Sequence, residues 1–249
     1  YECRHGIGYS RFTSSKNDVQ ASVLTFVPMN DTCEVSQLKL TNNSSEEKTL
    51  SVFSYVEWCL WNADDDSRNF QRNYSTGEVE VVGSTIFHKT EYRERRNHYA
   101  IYSVNAEIAG FDTIREAFLG SYRGAYEPEA VEKGACTNSM ASGWQPIASH
   151  QLNITLAPGE TKSYVFVLGY IENPEEEKWE SYGVINKTRA YAMLDRYKTD
   201  ADVEKAFAEL NDYWKKLLSK YTVKSSNDKV DRMVNIWNQY QCMVTFNMS

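Results

Sequence analysis

The sequence predicts a mainly β fold, a large antiparallel β-sandwich followed by helices. Residues 1 to about 173 carry segments in which apolar and polar residues alternate, as in half-buried strands. Turn-forming residues such as Pro158 and Gly159 separate these segments. After Pro174 the apolar residues take up the spacing of helices. Many short strands with turns between them favour two packed sheets over a parallel sheet with crossover helices.

Seven segments show the alternation of strands: 19–27, 35–40, 49–58, 79–83, 99–104, 151–156 and 164–171. One short helix is predicted between strands at 112–120, with Asp112 as its N-cap and Gly120 as its C-terminal stop.

The helical part of the chain follows Pro174. Helical spacing predicts a short helix at 185–197 and a longer one that begins after Thr199, a plausible N-cap. A third helix begins near Asn227 or Asp228. The sequence therefore predicts a β-sandwich at 1–174, a helical linker at 175–225 and the start of a further helical domain at 226–249.

Composition excludes several classes of partner. The net charge of −7 argues against nucleic acid and anionic membranes, because both require a basic surface. The five cysteines are scattered and form no C-x-x-C pair, which favours reduced thiols in the cytoplasm. The four histidines lack metal-ligand spacing, so no metal site is expected and structural roles are favoured.

Aromatic and polar residues interleave at 57–80, as a sugar-binding surface requires. The apolar ring faces are those of Trp58, Trp61, Phe70 and Tyr74, which can pack on the C–H faces of a pyranose. Asn62, Gln71 and Arg72 offer donors and acceptors to ring hydroxyls, and a guanidinium can hold two vicinal hydroxyls. From residue type alone, Trp58 and Trp61 are equally good core residues.

The order of residues in this stretch is informative in itself. LWNADDDSRNFQRNYSTGEVE (60–80) resembles the corresponding stretch of the inverting cello-oligosaccharide phosphorylases of glycoside hydrolase family 94, cellobiose phosphorylase among them. The resemblance continues through HKTEYRERRNHYA, AGFDT, FVLGYIENPEEEKWE and DRMVNIWNQYQCMVTFNMS. It spans essentially all 249 residues but matches only the N-terminal portion of such an enzyme, so we expect a fragment.

The resemblance implies a β-sandwich, a helical linker and the first helix of an (α/α)6 barrel. It also implies phosphorolysis of cellobiose to α-glucose 1-phosphate and glucose, with inversion and without a cofactor, since inorganic phosphate is a substrate. Asn62 and Arg72, with Gln71 as a weaker neighbour, match residues around the glucosyl unit in subsite +1.

The family's catalytic aspartate and most of its phosphate site lie in the barrel, so no catalytic residue is expected within this chain. A homodimer is also implied. Two alternatives stay open: a carbohydrate-binding module without an enzyme, and a purely structural dimerisation domain. The predicted helices speak against the first, because a binding module does not need them.

Overall fold

A computed structural model of the chain describes residues 1–58, 77–89, 97–143 and 146–248. The strands in this part of the chain are β1 (Glu2–Gly6), β2 (Tyr9–Lys16), β3 (Val19–Phe26), β4 (Cys33–Asn42), β5 (Lys48–Phe53), β6 (Val56–Glu57), β7 (Gly77–Val82), β8 (Thr85–His88), β9 (His98–Val104), β10 (Gly110–Ile114), β11 (Ser142–Gly143), β12 (Pro146–Leu156), β13 (Thr161–Glu172), β14 (Trp179–Ser181) and β15 (Val184–Ile185).

The strands form a sandwich of two unequal antiparallel sheets. The larger sheet has nine strands in the order β1-β2-β3-β4-β13-β9-β8-β7-β11. The smaller has the order β10-β12-β5, and β6 pairs with β12 beyond the end of β5. The strands β14 and β15 form a separate hairpin. The predicted fold class, mainly β with an antiparallel sandwich, is confirmed.

Both faces of the nine-stranded sheet are packed against other parts of the protein. Consecutive side chains along a strand point to opposite faces of the sheet, so neighbouring residues enter different cores. On β13, Phe166 packs in the core between the two sheets, whereas Val165 and Val167 pack in a core on the other side. The core between the sheets contains Leu38, Leu40, Trp58, Ile86, Ala100, Tyr102, Val104, Ala148, Leu152, Ile154, Leu156 and Phe166.

Helices cover the second face. The helical elements in the described residues are α1 (Arg115–Leu119), α2 (Glu129–Lys133), a 3₁₀ turn (Glu175–Glu177), α3 (Thr188–Leu194), a second 3₁₀ turn (Asp195–Tyr197), α4 (Asp200–Leu218), α5 (Asp228–Arg232), a π-helical segment (Met233–Asn238) and α6 (Gln239–Met248). Of these, α1 and α2 pack against Ile147 of the smaller sheet, and α3 and α4 cover the larger one. Ala190 and Met193 of α3, with Val203 and Leu210 of α4, are buried in the core on this face. The result is three layers: small sheet, large sheet and helices.

Two features position the helical layer. The predicted N-cap Thr199 is confirmed, because its side chain accepts from the backbone N–H of Asp202 in a capping box. At Gly169 of β13, a Cβ atom would lie 2.6 Å from the sulfur of Met193, so the missing side chain lets α3 approach the sheet closely.

The helix predicted at 112–120 begins later than expected, at Arg115, and Asp112 is not its N-cap. Asp112 lies on β10, fully buried, and its carboxylate accepts hydrogen bonds from the backbone N–H and hydroxyl groups of Thr137 and Ser139. Gly120 ends the helix as predicted. The strand predicted at 49–58 is interrupted between β5 and β6.

The C-terminal helical segment begins where the sequence predicts, since the Asn227 side chain accepts from the N–H groups of Lys229 and Val230. Its surface keeps Met233 54%, Trp237 43% and Phe246 81% exposed. Within the described ranges, no helix combines the length and apolar character needed to cross a membrane.

Candidate functional site

The predicted sugar-binding residues Asn62, Gln71 and Arg72 lie in 59–76, outside the described residues, so their roles remain predictions. The aromatic residues predicted to act with them in the same segment are Trp61, Phe70 and Tyr74. The structure describes the parts of the sandwich that directly precede and follow this segment in the chain.

Both ends of the segment join the same end of the sandwich. Glu57, the last residue of β6, lies opposite Ile147 of β12, and Trp58 follows it. Gly77, the first residue of β7, lies opposite Gly143 of β11. Because only a few residues separate Gly143 and Ile147 along the chain, β11 and β12 bring the two ends of the segment into one neighbourhood.

Trp58 is the described residue closest in sequence to the predicted sugar contacts. It is only 8% exposed, and its ring centroid lies 5.2 Å from that of His88. Trp58 is therefore packed in the core, one of the two roles considered from the sequence, and it also lines the cavity described below. Among the described residues its buried indole N–H has no hydrogen-bond acceptor.

The preceding residue, Glu57, is fixed by two donors. The hydroxyl of Tyr55 lies 2.5 Å from its Oε1 atom, and Nε of Arg115 in α1 lies 2.9 Å from the same oxygen. Burial, followed by the hydrogen bond and charge of Glu57, raises the pKa of Tyr55. Tyr55 therefore remains a neutral donor, and β6, which is only two residues long, is anchored by side chains as well as by its pairing.

A cavity of about 500 Å³ opens beside Trp58. Its lining includes two aromatic residues, Trp58 and Tyr170, and two acidic residues, Glu34 and Glu57. Burial raises the pKa of Glu34. Aromatic faces beside carboxylate acceptors suit the C–H faces and the donor hydroxyls of a sugar ring.

The sequence analysis did not identify Glu34 or Tyr170. Strand pairing brings them together, since Glu34 of β4 lies opposite Leu168 of β13, two residues before Tyr170. They are separated by most of the sandwich domain along the chain. Tyr170 lies within the string FVLGYIENPEEEKWE, but only the pairing between β4 and β13 shows that it lies close to Glu34.

Two histidines lie between the sheets and have structural environments. Burial lowers the pKa of His88 to about 3 and that of His150 to about 4, so both are neutral near pH 7. His150 stacks on Tyr102 with ring centroids 5.0 Å apart. Across residues 1–58, 77–89, 97–143 and 146–248, no cluster of three His, Cys, Asp or Glu side chains is arranged to hold a metal ion.

The chain belongs to the glycosyl hydrolase 94 family. The family's supersandwich domain matches residues 1–200, and the catalytic domain of the same superfamily matches residues 213–249. The two-sheet architecture and the helices that cover the larger sheet are the physical counterpart of the first match.

The curated relatives that this chain matches include disaccharide phosphorylases and the cyclic beta-(1,2)-glucan synthase NdvB of Rhizobium meliloti, which is 27% identical over 98% of this chain. The N,N'-diacetylchitobiose phosphorylase of Vibrio proteolyticus is 30% identical over 97% of this chain, and the solabiose phosphorylase of Paenibacillus borealis is 26% identical over 98%. The chain spans 28% and 30% of their respective lengths. A bacterial glucoamylase structure shares the fold, with a TM-score of 0.50 and 10% identity over 91% of this chain and 29% of that one.

Proposed function

We propose that this chain is the N-terminal part of an inverting phosphorylase that converts cellobiose and phosphate to α-glucose 1-phosphate and glucose. Membership of the glycosyl hydrolase 94 family supports phosphorolysis. The string LWNADDDSRNFQRNYSTGEVE, which resembles cello-oligosaccharide phosphorylases, is the observation that favours cellobiose.

The chemistry divides between this chain and a helical barrel domain. Inverting hydrolysis requires a carboxylic acid and a carboxylate base that activates water. Phosphate is already an anionic nucleophile, so phosphorolysis requires only the acid, which protonates the leaving oxygen. We assign that acid and the phosphate site to the barrel, and we assign sugar binding to this chain.

Within this division, Asn62 and Arg72, with Gln71 as a weaker contributor, contact the glucosyl unit in subsite +1. The support is that their segment begins directly after Trp58, which lines the same cavity as Glu34 and Tyr170. The proposal includes a cytoplasmic homodimer without a cofactor, and the division into sandwich (1–174), linker (175–225) and barrel start (226–249).

A second candidate substrate is N,N'-diacetylchitobiose. It is favoured by the 30% identity to a phosphorylase named for that disaccharide. The two substrates differ at C2, where cellobiose carries hydroxyl groups and diacetylchitobiose carries acetamido groups. A pocket that hydrogen-bonds one group discriminates strongly against the other, because a mismatched group leaves buried polar atoms unpaired.

The test is an initial-rate assay of the complete protein that carries this chain, with each disaccharide and inorganic phosphate. We expect phosphate-dependent release of α-glucose 1-phosphate from cellobiose, with the anomer identified by proton NMR. Release of an N-acetylglucosamine 1-phosphate from diacetylchitobiose alone would select the second substrate. Cleavage that does not require phosphate, or sugar binding without any cleavage, would contradict phosphorolysis.

A further inference from the structure

A second cavity, of about 630 Å³, lies on the helix-covered face of the nine-stranded sheet. The sheet contributes Thr85, Ser103, Val165 and Val167, and the helical layer contributes Leu194 and Tyr197. Protein interiors seldom leave gaps larger than a water molecule. Small-molecule sites, by contrast, occupy roughly 300–1,000 Å³. The cavity therefore has the size of a ligand site, and it lies between the sheet and the turn that joins α3 to α4.

A pair of buried hydroxyl groups forms one polar part of its wall. Thr85 and Ser103 lie opposite each other on β8 and β9, their oxygens are 2.7 Å apart, and they are 5% and 6% exposed. Each hydroxyl has one proton and two lone pairs. Their mutual hydrogen bond uses one proton and one lone pair, so the pair keeps one donor and several acceptor positions for a ligand.

Asn105 holds the two walls at a fixed separation. Its amide nitrogen donates to the carbonyl oxygen of Lys198 at 3.0 Å, and its amide oxygen accepts from the backbone N–H of Val165 at 2.7 Å. One side chain thus joins the helical layer to the sheet at the edge of the cavity. A pocket braced in this way is present before a ligand arrives, which lowers the free-energy cost of binding.

The charges at the rim determine which ligands fit. Lys198 is paired with Asp195 at 3.1 Å, and Glu107 also lines the cavity. These three groups sum to a negative charge, so phosphorylated or carboxylated ligands are disfavoured. The apolar side chains of the wall include Val165, Val167 and Leu194, and they stand beside the polar residues Ser84 and Asn105.

We propose that the Thr85–Ser103 cavity is a binding site for a neutral hydroxylated compound with an apolar face, of the alkyl glycoside class. The hydroxyl pair would bond a ligand hydroxyl, and the aliphatic walls would cover the apolar part. This site lies on the opposite face of the sheet from Trp58.

Calorimetric titration of the complete protein with n-hexyl β-D-glucopyranoside tests the proposal. We expect saturable binding at this site, with Kd raised up to roughly tenfold in Ser103→Ala, since one neutral hydrogen bond is lost. Val167→Phe, which fills the cavity, is expected to abolish that binding. The matched control is Ser36→Ala, which removes a similar cross-strand hydroxyl pair with Thr25, 2.8 Å apart and away from the cavity.

Circular dichroism of each variant establishes that it is folded. An unchanged Kd in both Ser103→Ala and Val167→Phe would assign any binding to another site, including a catalytic one, and would overturn the proposal. So would the absence of saturable binding to the wild-type protein. An equal loss of affinity in Ser36→Ala would show that the effect is not specific to this cavity.

Discussion

The Nε2 atom of Gln37 lies 2.7 Å from Oδ1 of Asp200, which joins the middle of strand β4 to the first turn of helix α4 across 163 residues. The hydroxyl of Ser163 on the neighbouring strand donates to the same oxygen, also at 2.7 Å. A carboxylate in the first turn of a helix is favoured by the helix dipole. Asp200 therefore attaches the first turn of α4, which Thr199 caps, to the sheet.

Replacement of Asp200 by alanine is expected to lower the free energy of unfolding by about 1–3 kcal/mol, because the buried amide of Gln37 loses its acceptor. Urea unfolding followed by circular dichroism measures the change. The control is Glu204→Ala on the same helix, which breaks an exposed ion pair with Lys39 of β4 and should cost less than about 1 kcal/mol. An equal loss of unfolding free energy in the two variants would mean that the buried hydrogen bonds of Asp200 stabilise the protein no more than an exposed ion pair does.

The close approach of α3 to the sheet gives a second prediction. Gly169→Ala places a methyl group against Met193 and against Ile101 Cγ1, 2.8 Å from the new atom, and should destabilise the protein by about 1–3 kcal/mol. In a double-mutant cycle with Met193→Ala, the two losses should be less than additive, because the shortened side chain makes room for the methyl group. Strict additivity would show that the helix is not held against Gly169 by Met193.

Strands could be predicted from the sequence where the side chains on one face of the strand are buried in the core and those on the other face are less buried. The alternation at 151–156 lies within β12 because Leu152, Ile154 and Leu156 are buried while the residues between them are less so. The same rule missed β1 and β2, whose side chains are largely exposed or half-buried and carry little apolar periodicity.

Local sequence patterns also failed to predict the role of a residue where contacts with distant parts of the chain determine that role. Aspartate is a residue type that often caps helices, which is why Asp112 was predicted to be an N-cap. Its hydrogen-bond donors instead come from the loop that carries Thr137 and Ser139, and no residue near Asp112 in the sequence indicates that loop. The cavity residues Glu34 and Tyr170 likewise depend on the pairing of β4 with β13. Caps such as Thr199 were predictable because all their partners lie within three residues.

The buried His150 predicts a loss of stability in acid. Its folded pKa of about 4 is below the unfolded value of about 6.5, so from about pH 6.5 downward the unfolded chain binds a proton that the folded protein excludes. Stability is therefore retained above about pH 6.5 and falls as the pH drops toward 4. This residue alone should account for about 2 kcal/mol between pH 7 and pH 5.

Urea unfolding at these two pH values compares the wild-type protein with His150→Phe, which keeps a ring but cannot be protonated in this range. We expect the difference between pH 7 and pH 5 to be smaller in the variant by that amount. Ser54→Ala removes the hydroxyl 3.2 Å from the imidazole Nδ1 without removing the titrating group, so it should keep the wild-type pH dependence. An unchanged pH dependence in His150→Phe would contradict burial of the neutral ring.

Arg72→Ala in the complete enzyme tests the proposed acceptor contact. Loss of charge-assisted hydrogen bonds to the +1 glucosyl unit should lower kcat/KM for cellobiose by roughly ten- to a hundredfold. Arg72→Lys should recover little, because an ammonium group cannot span two hydroxyls as a guanidinium does. Initial rates in the synthetic direction should show a larger effect on glucose than on glucose 1-phosphate. Equal effects on both substrates would indicate a structural role for Arg72.

The π-helical segment at Met233–Asn238 alters how the end of the chain presents its side chains. Each residue in a π turn advances by a smaller angle than in an α-helix, so the ten residues of α6 are rotated relative to those of α5. A helical wheel drawn through α5 and α6 as one continuous α-helix would therefore place residues from two different faces on the same side. A partner that packs along this helix must contact a row of side chains whose direction changes near Trp237. Deletion of one residue from the π-helical segment would rotate Phe246 away from that partner without unfolding the helix.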